Sequence, residues 1–248
     1  MQGVNFSFEN LQIFRYNTRF YTKFKKGFAV SSKRAQGRIY ISSDFHFCHE
    51  NVMRYSDRYS QRFHNIQEYQ SALMEHLASF IKPDDIFLFL GDLSLGPGKS
   101  VQVCKDLLSV LKCDNMHFIR GNHDKWLTNL DLYGMGFRSV RDYLLIDDLL
   151  ICHYPLADAY GEFGQYKMHK FLWDMFYQNP VVRRVIHGHI HNAVLRGIEG
   201  VEYVNVSVDK DKDKFNVYEF KDFDYDEFKT MLKKSGVSKF KRSQKGKK

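Results

Sequence analysis

The sequence predicts an α/β fold in which two β-sheets pack face to face with helices outside, and three observations lead there. From Arg38 to about Gly134, strand-like and helix-like segments alternate, which is the rhythm of strands joined by crossover helices. Beyond that point most segments read as strands, too many for a single alternating layer. The chain of 248 residues, 44% apolar and 27% charged, has the composition of an ordinary globular protein and the length for one such domain.

Arg38 to Ser43 reads as the first strand. Asn65 with Glu68 three residues on has capping-box spacing, and Ile66, Tyr69, Leu73, Leu77 and Phe80 then mark one helical face. Ile86 to Leu90 is continuously apolar, as a strand covered on both faces must be. A second helix follows from Val101, Cys104, Leu107, Leu108 and Leu111. Met116 to Ile119 returns to strand, and a short helix through Trp126 and Leu130 ends near Gly134. The second half supplies strands at Tyr143 to Ile146, Leu149 to Cys152, Val181 to Ile186, Val201 to Val208 and Asn216 to Phe220. A helix is expected around Met168 to Tyr177. Another starts from an Asp224 cap, with Glu227 at the capping-box position, and runs toward Gly236. The 22 Phe and 15 Tyr are read as core rather than as a base-stacking surface.

Charge divides the chain into three. Residues 233–248 hold eight Lys or Arg and no acid, and residues 1–37 hold seven against Glu9. With a total of +8, the body at 38–232 carries −6, which two divalent cations would nearly neutralise. The basic tail has too few apolar groups to offset its ordering entropy, so disorder is expected there. The aromatic and basic 1–37 segment reads as an extension, either hairpin or docking arm. No apolar run is long enough to cross a bilayer, and the first twenty residues lack a signal-peptide pattern. The four cysteines, Cys48, Cys104, Cys113 and Cys152, form no CxxC pair, and a reduced, cytoplasmic protein is expected.

Seven of the eleven histidines fall in or beside four short segments: Asp44-Phe-His46-Phe-Cys48-His49, Arg120-Gly-Asn122-His123-Asp124, Cys152-His153, and His187-Gly-His189-Ile-His191. A fifth, Gly91-Asp92, adds a carboxylate. Each follows an expected strand, so all five lie on loops at the carboxyl ends of strands, where α/β sheets bind ligands. Carboxylate, amide oxygen and imidazole together suit Mn²⁺, Fe or Zn²⁺ better than Ca²⁺ or Mg²⁺. In Asp44-x-His46 and His189-x-His191, alternate residues of an extended chain would point the same way.

The series Asp-x-His, Gly-Asp, Gly-Asn-His-Asp, His, Gly-His-x-His resembles the calcineurin-like metallophosphoesterase superfamily over about residues 38–220, in particular compact bacterial and phage members. Cys48 stands where those members commonly have Gly, and is read as a space-filler. The resemblance implies a two-sheet sandwich flanked by helices. It implies one divalent metal on Asp44, His46, Asp92 and His191, and a second on Asn122, His153 and His189, with Asp92 bridging. Mn²⁺ is the first choice of metal. His123 matches the histidine that lies near the leaving-group oxygen, so it is the expected catalytic acid. A metal-bridging hydroxide would attack a phosphodiester or phosphomonoester, with no covalent intermediate.

Softer expectations attach to neighbouring residues. His49 and Arg120 are read as phosphate contacts, and His187 as a core or supporting residue. Besides the phosphoesterase, two other readings stand: a nuclease that grips nucleic acid with its basic ends, and a non-catalytic interaction module. The second would be expected to have lost a donor or His123, and neither is lost.

Overall fold

Strand β1 (Ile39–Ser42) and strand β2 (Ile86–Phe89) run parallel in the middle of a five-stranded sheet. They alternate branched aliphatic with aromatic side chains, so each face of that sheet receives one kind. The computed structural model describes residues 37–55, 57–96, 100–156, 171–172, 174, 181–211 and 214–234. Strands β3 (Asn115–Ile119) and β4 (Phe137–Arg141) extend the parallel set on one side. On the other side the two-residue strand β9 (Tyr218–Glu219) pairs antiparallel with β1, giving the order β4-β3-β2-β1-β9. The second sheet has the order β5-β6-β7-β8, from β5 (Tyr143–Ile146), β6 (Leu149–Cys152), β7 (Arg184–His187) and β8 (Glu202–Asn205). Only β5–β6 is antiparallel in it.

Between the sheets lie Ile39, Ile41, Ile86, Leu88, Leu90 and Ile119 from the first and Leu144, Ile146, Leu149, Ile151 and Ile186 from the second. Tyr40, Phe87, Phe89, Phe118 and Phe137 face the other way, beneath helices α3 (Ile66–Ala78) and α4 (Ser100–Leu108). The rings there stack edge to face, Phe118 on Phe137 at 4.9 Å, as aromatic quadrupoles favour. Among the described residues most Phe side chains are core. Each fully buried ring contributes about 1.5–3 kcal/mol through the area removed from water. Two short helices, α1 (Val52–Tyr55) and α2 (Asp57–Arg62), precede α3, and α5 (Asn129–Gly134) follows a 3₁₀ turn at His123–Trp126. Helix α6 (Tyr225–Lys234) closes the open end of the inter-sheet layer with Phe228 and Leu232.

The caps differ in detail from their sequence pattern. The Asn65 side chain accepts from the Glu68 N–H, but the Glu68 carboxylate turns to the N–H of His64 rather than that of Asn65. Asp224 accepts from the N–H groups of Asp226 and Glu227 at the start of α6. Strand β4 and helices α1 and α2 are absent from the sequence reading. The helix expected over 168–177, the 1–37 extension and the tail lie wholly or mostly outside the described residues.

Candidate metal centre

All five donor segments emerge from the same end of the sandwich: Asp44 after β1, Asp92 after β2, Asn122 after β3, His153 after β6 and His189 after β7. The first two loops zip together through their backbones. The N–H groups of Asp44, His46 and Phe47 donate to the carbonyls of Gly91, Asp92 and Leu93 at 3.0, 3.0 and 2.8 Å.

That pairing holds an unusual backbone. Among the described residues seven non-glycine residues have positive φ, and five of them are Asp44, His46, Asp92, His189 and His191, at 48–72°. Left-handed backbone is rare for L-residues and costs about 1–3 kcal/mol at each position, least for Asn, Asp and His. The expectation of extended Asp-x-His and His-x-His segments is therefore corrected. Each of these five sits at a kink, and at Asp44 and His46 the kinks carry the cross-loop hydrogen bonds.

The kinks gather ligand atoms into two adjoining groups. Those of Asp44, His46 and His191 lie within 4.8 Å of one another, and so do those of Asp92, His153 and His189. His189 and His191 thus serve different groups. Asp92 joins the two, its Oδ2 lying 3.3 Å from His153 Nε2 and 4.0 Å from His46 Nε2. Asn122 presents Oδ1 3.0 Å from His153 Nε2. Glycines make room for both carboxylates: a Cβ on Gly121 would overlap the side chain of Asp92, and one on Gly188 would overlap those of Ser43 and Asp44.

Hydrogen bonding and charge both fit a cation. The His153 Nδ1–H donates to the Leu90 carbonyl at 2.6 Å, so the neutral ring aims a lone pair from Nε2 at Asn122, Asp92 and His189. Nothing on the other three atoms must donate, and oxygen and nitrogen lone pairs converge. His46 is 4% exposed, and neither ring nitrogen has a hydrogen-bond partner, a costly state for a buried imidazole unless something else binds it. Burial pushes its pKa down to about 4. Burial also opposes charge on His153, but the charge and hydrogen bond of Asp92 outweigh it and lift the ring to about 9. His191 likewise rises to about 9 against burial, through its 2.8 Å hydrogen bond to Asp209 and the charge of Asp44. Burial opposes ionisation of Asp44 and Asp92, yet the surrounding histidines, His153 first, hold both below the usual carboxylate range. In the absence of a metal, protons on His153 and His191 stand in for one.

His123 sits at the rim, its side chain 36% exposed and its Nε2 3.9 Å from Asp92 Oδ2, while its N–H donates to Asp92 Oδ1. His49 lies beside His46 with ring centroids 5.7 Å apart. Arg120, read from sequence as a phosphate contact, braces its own loop. Its guanidinium donates to the carbonyls of Asp124 and Leu127 and to Asn129 Oδ1, bracing the loop that carries Asn122. His187 is buried in the core, its Nδ1 2.9 Å from the Gly188 carbonyl.

Two residues escaped the sequence reading. Asp124, fully buried, accepts from the N–H groups of Asp92, Leu93 and Gly121 at 2.8, 3.0 and 2.7 Å, tying the Asp92 and Asn122 loops together. Burial and the charge of Asp92 lift its carboxyl to about 6, against the pull of those donors. Asp209 orients the His191 ring. The signal for Asp124 lay inside the quoted Gly-Asn-His-Asp run. For Asp209 it was only an acid just beyond a strand.

An α/β sandwich with two adjoining groups of carboxylate and imidazole donors at its strand ends is a framework suited to binding metal ions. A model of the calcineurin-like phosphoesterase family matches residues 37–193, and the chain belongs to that family. Over 89 residues it is 38% identical to the protein MJ1445 of Methanocaldococcus jannaschii, a stretch making up 36% of this chain and 48% of that one. The match thus spans about half the length of that relative. Among solved structures, AQ665 from Aquifex aeolicus superposes with a TM-score of 0.54 at 21% identity, covering 79% of this chain and 99% of the other, which shows the shared fold. The Pseudomonas putida nuclease MPE superposes at 0.37 with 17% identity, over 62% of each chain.

Proposed function

We propose that the protein hydrolyses phosphodiester or phosphomonoester bonds with two divalent cations, Mn²⁺ first and Fe or Zn²⁺ next, in the cytoplasm. The observation that carries the reading is the pair of adjoining donor groups sharing Asp92 in a chain of this family. Asp44, His46, Asp92 and His191 would hold one cation, and Asn122, His153 and His189 the other, with Asp92 reaching both. Bound there, such ions supply Lewis-acid activation of water and of phosphoryl oxygens. Four free thiols suit a reducing compartment, and no helix among the described residues is long and apolar enough to cross a membrane.

The chain's own residues divide the remaining work. The Leu90 carbonyl fixes the tautomer of His153, and Asp209 fixes the orientation of His191, so both rings present one nitrogen to the centre. His123, at the rim and anchored through its N–H to Asp92, holds a proton at Nε2 for the departing oxygen. His49, beside His46, donates to a phosphoryl oxygen. None of these residues is called on as a nucleophile, so no covalent intermediate forms.

The test is metal-stripped protein resupplied with Mn²⁺, Mg²⁺, Zn²⁺ or nothing. Each form is assayed on bis(p-nitrophenyl) phosphate, p-nitrophenyl phosphate, a cyclic nucleotide and single-stranded nucleic acid. Metal-restored turnover of any of these is the expected result; no turnover with any metal would leave an interaction module on the same fold. The charge split favours a second, finer reading, a nuclease gripping its substrate with the basic ends. For it, truncation of residues 233–248 should flatten the salt dependence of nucleic-acid binding while sparing hydrolysis of the small diester.

A further inference from the structure

The inter-sheet layer changes character at one edge. Under β1 and β2 it is aliphatic, but the same face of β3 and β4 presents Asn115, His117, Ser139 and Arg141, which the second sheet leaves to α6. There the strands and helix enclose a cavity of about 240 Å³. Arg138, Arg141, Lys229 and Lys233 line it, together with His117 and Tyr133, and among the described residues no lining side chain is acidic. Arg141 is 7% exposed and His117 6% exposed, so two of these groups lie at the floor rather than on the surface.

Hydrogen bonds fix the floor. The Arg141 guanidinium donates to Ser139 Oγ and, at 2.5 Å, to the Leu232 carbonyl of α6. His117 Nδ1 lies 2.7 Å from the same Ser139 Oγ. Lys229, also of the lining, donates to the Tyr225 hydroxyl at 3.3 Å. Burial, then the charges of Arg141 and Arg138, drive the His117 pKa down to about 3, so the cations of the cavity are its arginines and lysines.

We propose that this cavity is a second binding site, separate from the metal centre, for a small phosphate-bearing anion. A phosphate monoester carries about −1.5 to −2 at pH 7, and its oxygens match the planar guanidinium fork. Four cations with no carboxylate gain more from such a group than from a monocarboxylate. The apolar lining from Val140, Leu232 and the half-exposed Tyr133 ring suits an organic body attached to the phosphate. Free phosphate and a monoester share this chemistry, and affinity separates them.

The experiment titrates the full-length, metal-loaded protein calorimetrically with inorganic phosphate and with phenylphosphonate, whose C–P bond resists hydrolysis. The unmodified protein should show two classes of site. The double variant Arg138→Glu/Lys233→Glu, both positions exposed and remote from the donor segments, should lose at least about tenfold in affinity at one class while keeping its diesterase activity. Arg141→Gln should weaken the same class, and Asp92→Asn only the other. Tighter binding of phenylphosphonate than of phosphate assigns the site to monoesters; equal binding assigns it to free phosphate. Unaltered stoichiometry and affinity in the double variant would overturn the proposal, as would a single class of site in the unmodified protein. Neither result bears on the metal centre, whose test is restoration of turnover by metal.

Discussion

The two donor groups of the metal centre are built differently. In the group of Asp92, His153 and His189, the protein has already committed the atoms that do not bind metal. The His153 ring is fully buried and donates to Leu90, and Asp92 accepts from the His123 N–H. In the group of Asp44, His46 and His191, the His46 ring has a hydrogen bond at neither nitrogen and is held by packing and backbone alone. His153 is oriented before a cation arrives, and so is His191 by Asp209, whereas His46 in the second group has no partner until one does. Organisation in advance lowers the ordering cost of binding, so the Asp92–His153–His189 side should fill first.

The largest effect belongs to the residue that joins the groups. Asp92→Asn should weaken both cations and lower turnover on the order of a thousandfold or more. Retention of two tightly held metals with near-normal rate would erase the distinction between shared and private donors. His123 belongs to neither group, so His123→Ala should slow hydrolysis by roughly 10²–10⁴ for esters with poor leaving groups, less for good ones, with metal content intact. Equal losses for both ester types would remove the proton-donor role, and loss of metal would make His123 a ligand.

Stability in chelator sharpens the contrast. His153→Ala leaves a buried carbonyl without its donor and opens a cavity, and should destabilise the metal-free protein by about 2–4 kcal/mol in urea unfolding. His46→Ala deletes a ring whose polar atoms are unsatisfied, so its loss should be smaller, about 1 kcal/mol or less. The opposite order would invert the comparison.

The smallest signal is protonic. His153 and His191, each raised to about 9, are protonated at pH 7 without metal, whereas His46, lowered to about 4, is neutral. Each group should therefore release about one proton as its cation enters at pH 7, and metal affinity should climb with pH up to about 9. The sign for the metal-free fold is the reverse. The stability contributed by the two raised histidines is present below about 6.5 and lost as pH rises through 9. Calorimetry in buffers of different protonation heat reads the release directly. A heat independent of buffer would refute the stand-in role of these protons.

Strand ends and donor types were legible in the sequence because both are local. The apolar run Ile86–Leu90 followed by Gly91-Asp92 states the strand and the ligand together. What resisted reading was non-local or masked by polarity. Phe137–Arg141 reads as Phe-Arg-Ser-Val-Arg, too polar for a strand until α6 is seen to cover its inner face. The left-handed turns at Asp44 and His46 exist because the next loop offers carbonyls, and no spacing announces that. The acceptors that Arg120 meets at Asp124, Leu127 and Asn129 are equally unannounced by spacing.

The left-handed backbone at five donors has a consequence for anyone rebuilding this centre elsewhere. Asp and His are among the few side chains that accept that conformation as well as being ligands, so chemistry and chain geometry draw on one short alphabet. Saturation mutagenesis at Asp44, His46, Asp92, His189 and His191 should find Asn and Gly the gentlest replacements for folding and Val or Ile the harshest, irrespective of metal. A transplant that copies seven side chains onto straight strands would misplace these five. The portable unit is the pair of interlocked turns.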